Sequence, residues 1–111
     1  MKTFETNIQR QTRTAITEIL EEVIDVPREY WEVMRTKQDN EVKIRQIFIY
    51  FLNHYTTYNQ KTIAELLGLR NHTSVLRNLR VVESWFESPE ENSEQISIIN
   101  KVKQIYEQRN S

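Results

Sequence analysis

Apolar residues recur at spacings of three and four in six stretches of the chain, separated by polar or turn-forming residues, as in helices that each bury one face. In the first, from Thr12 or Thr14, Ile16, Ile19, Leu20, Val23 and Ile24 share a face while Glu18, Glu21 and Glu22 lie elsewhere. Asp25-Val26-Pro27 interrupts it, and proline is preorganised for the first position of a helix. A short second helix is therefore predicted from Pro27, carrying Tyr30, Trp31, Val33 and Met34. Val42 to Tyr55 is the most apolar segment, and its Ile44, Ile47, Phe48, Phe51, Leu52 and Tyr55 make it the spine of the fold. A last helix opens near Ser93, after the acidic connection Ser88-Pro89-Glu90-Glu91-Asn92. Its Ile98, Ile99, Val102, Ile105 and Tyr106 are expected to pack back on the bundle.

The remaining two helices are defined by their punctuation. Thr56-Thr57-Tyr58 is a loop, and Asn59 can cap the helix that contains Thr62-Ile-Ala-Glu-Leu-Leu. That helix runs into Gly68, the one glycine of the protein, which reaches left-handed backbone angles at little steric cost and so ends it. Asn71 then stands at the N-cap of the next helix. There Val75, Leu79, Val82 and Phe86 form the apolar face, while Thr73, Arg77 and Arg80 fall on another. Two helices joined by a tight glycine turn, the second amphipathic and basic, are what a helix-turn-helix requires.

Composition narrows the class. With 111 residues, 38% hydrophobic and 28% charged, one glycine and two prolines, the chain suits an all-α compact bundle. We expect residues 1–11 to be an amino-terminal arm or helix extension, and residues 12–111 to be one domain of about six helices. Without cysteine, and with only His54 and His72, no zinc site or disulfide framework can be built. No apolar run has the length of a membrane span and no signal-peptide pattern opens the chain, so a cytoplasmic location is expected. Net charge is −1, but unevenly spread. Residues 35–80 hold eight bases (Arg35, Lys37, Lys43, Arg45, Lys61, Arg70, Arg77, Arg80) against three acids, and the rest holds seven against thirteen. Such a field attracts a polyanion to one side and orients the domain on it.

Leu67-Gly68-Leu69-Arg70-Asn71-His72-Thr73-Ser74-Val75-Leu76 resembles the signature of the C-terminal DNA-binding domain of the bacterial replication initiator DnaA, where Gly-Gly-Arg-Asp-His-Thr-Thr-Val-Leu opens the recognition helix. Arg45-Gln46-Ile47 with Tyr50-Phe51-Leu52 is similar to that family's Arg-Gln-Ile-Ala-Met-Tyr-Leu helix, and Asn59 to Leu67 to its Ser-Leu-Pro-Glu-Ile-Gly segment. The likeness is dense from Lys43 to Leu79 and extends from Ile16 to Phe86. It implies a DnaA C-terminal or Trp-repressor-like bundle and double-stranded DNA as partner, read in a sequence-specific manner. It also implies a role in replication initiation or its regulation, near the nucleoid. Arg45 would enter the minor groove, where a narrow groove concentrates negative potential. Arg35 to Asn40 takes the place of the family's basic loop, diluted by Gln38 and Asp39.

At the mouth of the recognition helix, Asn71, His72 and Thr73 would meet base edges. Histidine donates from a ring nitrogen, threonine offers a hydroxyl and a methyl, and asparagine can pair with adenine. Lys61, Arg70, Ser74 and Arg77 suit phosphates, which fix register without specifying sequence. Asn71 replaces the family's aspartate, and Leu69 its second glycine. The first changes what that position can donate, and the second makes the turn less permissive. If four to six phosphates are neutralised, log affinity should fall against log salt with a slope of about −4 to −5. The chain has no phosphate-binding glycine loop, so the family's ATP-dependent assembly is not carried over. With no nucleophile, paired carboxylates or metal constellation, an enzyme is not expected, nor a cofactor or small-molecule substrate. The alternative of another class is a helical protein-interaction module, or a small transcriptional regulator without the replication role. Trp31, Trp85 and the apolar last helix would serve such a module as a surface for a protein partner or a second copy.

Overall fold

The computed structural model of the chain describes residues 6–31 and 39–109. Among them are five α-helices and no strand: α1 Asn7–Ile24, α2 Asp39–Tyr55, α3 Gln60–Leu67, α4 His72–Glu87 and α5 Ser93–Arg109. The all-α expectation holds, with five helices in place of about six. The second helix foreseen at Pro27 is instead a single 3-10 turn, Arg28–Tyr30. Two interactions bend the chain back there. The Glu21 carboxylate accepts from the Arg28 backbone N–H at 2.7 Å and from its guanidinium at 3.0 Å, which holds that carboxyl below the ordinary range. The Trp31 indole N–H donates to the Val26 carbonyl at 3.0 Å, with the ring fully buried edge-on against Phe48. Val33 and Met34, and Arg35 to Gln38 of the basic loop, lie outside the described residues.

Two helix starts come earlier than the apolar pattern implies. α1 begins at Asn7 because Thr6 and Gln9 form a capping box: the Thr6 hydroxyl accepts from the Gln9 N–H at 3.0 Å, and the Gln9 amide oxygen from the Thr6 N–H at 2.9 Å. Of the two alternatives for the amino-terminal segment, residues 7–11 are the helix extension. α2 begins at Asp39, three residues before the first apolar position. α1 is closed after Ile24 by Asp25, whose φ of 56° is left-handed, a place that aspartate tolerates better than most side chains.

α2 is the spine. Ile47, Phe48, Ile49, Phe51 and Leu52 are all buried, and α1, α3, α4 and α5 pack around them. Burying a side chain of this size stabilises by about 1.5–3 kcal/mol, so the helix with most of them organises the rest. α5 returns along α1, sealing Ile99 and Val102, as its apolar face suggested. On α4 the buried set is Val75, Leu79, Val82 and Trp85. Phe86, expected in that set, is 42% exposed and reaches only the edge of the core near Tyr50. No described helix is long and apolar enough to cross a membrane.

Candidate nucleic-acid interface

The turn between α3 and α4 is closed by local hydrogen bonds. Gly68 takes φ 69°, its N–H donates to the Glu65 carbonyl at 3.3 Å, and the Leu69 N–H reaches back to the Ala64 carbonyl at 2.8 Å. This is the Schellman closure, and it needs a left-handed residue at one position only. Leu69 therefore does not restrict the turn: with its φ not in the left-handed region, it packs its half-buried side chain against the core. Asn71 follows in extended conformation, and its Oδ1 accepts from the Ser74 N–H at 3.2 Å. At the head of α3, Asn59 Oδ1 accepts from the Thr62 N–H at 2.8 Å.

The caps leave the first turn of α4 open to solvent. Arg70, Asn71, His72 and Thr73 are exposed, as are Lys61 near the start of α3 and Arg77 and Arg80 further along α4, while Ser74 is half-buried. Thr73, Arg77 and Arg80 lie within about 60° of one another around the helix at 100° per residue, opposite Val75 and Leu79. Residues 59–80 contain four cations, Lys61, Arg70, Arg77 and Arg80, and one acid, Glu65. The unpaired N–H groups at the start of α4 add the positive end of the helix dipole. Capping also commits one end of the Asn71 amide to the helix. With Oδ1 holding the helix, its amino group is what remains to donate.

Arg45 stands apart from this surface. Expected to project outward beside the mouth of α4, it is instead 5% exposed within the packed face of α2. The guanidinium Nε and Nη2 are closed off from solvent and have no hydrogen-bond partner among the described residues, and the same is true of Oε2 of Glu41. Burial lowers the Arg45 pKa, with the Glu41 charge acting in the opposite direction. The outward pairing of Arg45 with the α4 mouth that the DnaA resemblance implies is therefore absent from the free chain. The reason is packing: α2 carries apolar residues on more than half its circumference, and Arg45 lies between Ile44 and Ile49 within that arc.

Two positioning contacts were not foreseen. The Gln46 amide donates to Asn78 Oδ1 at 3.0 Å, and Asn78 Nδ2 to the Ser74 carbonyl at 2.7 Å, which ties α2 to the first turn of α4. An asparagine between Trp85 and Val82 on the apolar arc of α4 was the available signal. Gln9 Nε2 donates to Thr57 Oγ1 at 2.6 Å, bracing the loop before Asn59 from the start of α1. Neither tryptophan offers a docking surface, since Trp31 is fully buried and Trp85 nearly so. The described residues contain no group of three or more histidine, aspartate or glutamate side chains placed to hold a metal ion. Compared with known proteins, the chain matches no family model, no curated protein and no solved structure.

Proposed function

We propose that the chain binds double-stranded DNA through α3 and α4 used as a helix-turn-helix, with α4 as the recognition helix in the major groove. The observation that carries this reading is the outward mouth of α4. His72 and Thr73, the side chains able to read base edges, are exposed on its first turn, and Lys61, Arg70, Arg77 and Arg80 surround them with little opposing charge. Phosphate contacts by these cations set register, and His72, Thr73 and the Asn71 amino group discriminate bases. The resemblance to the DnaA C-terminal domain supports the same assignment and suggests origin binding or its regulation in a bacterial cytoplasm.

The protein-interaction alternative loses its main support, because both tryptophans are core residues and the exposed apolar side chains Ile8, Tyr30 and Phe86 lie on separate elements. Selection of duplexes from random DNA by the whole chain, followed by gel shift, tests the proposal. A consensus site is the expected result, and retention of no sequence above background would reject base reading. Repeating the selection with Asn71→Asp keeps the cap but removes the donor, so the preferred base pair nearest that residue should change.

A further inference from the structure

A cavity of about 440 Å³ lies where the end of α1, the first half of α2 and the start of α5 meet. Aliphatic side chains of all three helices, Ile24, Ile44 and Ile98 among them, make its walls, and no aromatic ring lines it. Its two charges come from different helices, Lys43 from α2 and Glu94 from α5. Both side chains are exposed, and neither forms an ion pair among the described residues. Beside Glu94, Gln95 also lines the cavity although it is only 9% exposed. Its Nε2 makes one long hydrogen bond to Asn92 Oδ1 at 3.4 Å, and its carbonyl oxygen accepts none among the described residues. A buried amide with an unused acceptor lowers stability until a donor reaches it.

We propose that this cavity binds a small zwitterion with an aliphatic body, a dipeptide of aliphatic residues with both ends free. An ammonium carries three donors and no acceptor, so it matches the Glu94 carboxylate and the Gln95 carbonyl on adjacent residues. The carboxylate at the other end meets Lys43. Between the two ends, aliphatic side chains displace water from the valine and isoleucine walls, where an aromatic side chain would find no ring to stack on. A volume within the range of small-molecule pockets leaves room for more than one amino-acid residue. None of these groups belongs to the mouth of α4, so the site stands or falls independently of DNA binding.

Titration calorimetry of the full chain with leucyl-leucine tests the proposal, with leucine, N-acetyl-leucyl-leucine and leucyl-leucinamide as controls. Leucyl-leucine should bind saturably, one per chain, and each blocked form about tenfold more weakly, because a charge-assisted hydrogen bond is lost. Glu94→Gln should weaken the free dipeptide by a similar factor and leave the acetylated one unchanged; Lys43→Met should do the same with respect to the amidated one. Both positions are exposed, so the variants should fold. Gln95→Leu should keep or raise Tm while weakening the free dipeptide several-fold, since it removes an acceptor that the fold itself leaves unused. Blocked forms that bind as tightly as the free dipeptide, leucine that binds as tightly, or no saturable binding at millimolar concentration would each overturn the site.

Discussion

The mouth of α4 and the arginine-bearing face of α2 belong to the same basic stretch of sequence, yet the fold treats them oppositely. At the mouth, short-range caps spend the backbone and Asn71 Oδ1 on helix geometry and leave His72, Thr73 and the cations in solvent. On α2, a cation of the same kind is enclosed by long-range packing and faces a carboxylate. One surface is open to a ligand, and the other encloses its charge. A charged residue is thus not a surface residue merely by being charged. The helix face on which it falls decides.

The widest test of this contrast is the double substitution His72→Ala and Thr73→Ala. It should lower the ratio of selected to scrambled affinity on the order of 100-fold, since each good base contact discriminates by about 1–3 kcal/mol. Thermal stability should barely move, because both side chains are exposed; a large drop in Tm would mean that the mouth is structural instead. Gly68→Ala is the next largest. Forcing a Cβ into the left-handed position at φ 69° should destabilise by about 1–2 kcal/mol. In a domain of this size, that lowers Tm by about 4–10 °C. Leu69→Gly should leave the turn formed and lose only the packing of Leu69; equal effects at both positions would contradict the Schellman closure.

Smaller still, Arg77→Ala should weaken selected and scrambled duplexes alike and make the salt slope shallower by about one, as for any phosphate contact. With Arg45 enclosed, the four exposed cations of residues 59–80 set the slope near −3 to −4, at or below the lower end of the range expected for four to six phosphates. The least effect concerns the far end of α2. Tyr55 stacks on Phe51 and meets Tyr106 at 4.4 Å. Burial first, then Glu107, Tyr50 and Tyr106, raise its pKa above the ordinary tyrosine value. A folded pKa above the unfolded one means that the contribution is complete below the unfolded pKa of about 10 and is lost as pH rises through the folded value. Tm should therefore decline above about pH 10, and less so in Tyr55→Phe, as a pH series of melting curves would read.

Much of the candidate site was legible because it is local. Gly68 as the stop, Asn59 and Asn71 as caps, and the outward direction of Thr73, Arg77 and Arg80 follow from hydrogen bonds and helical rotation over a few residues. The start of α1 stood open between an arm and a helix extension for an instructive reason. Its first two turns are polar, and the signal was the Thr6 and Gln9 capping pair, not an apolar stripe. The Pro27 segment failed otherwise: proline is compatible with a helix start, but Trp31 buried against Phe48 and Arg28 held by Glu21 draw the chain into a single turn.

By itself, the order of residues determined the all-helical class, the caps, the glycine turn and the exposure of the α4 mouth, because each depends on neighbours within about one or two helical turns. Only tertiary structure decided that Trp85 and not Phe86 closes the core, that Gln46 finds Asn78 thirty-two residues away, and that Arg45 is enclosed. Periodicity gives the direction in which a side chain leaves its helix. What it meets there depends on how far the neighbouring helices extend, and that is a property of the assembled bundle.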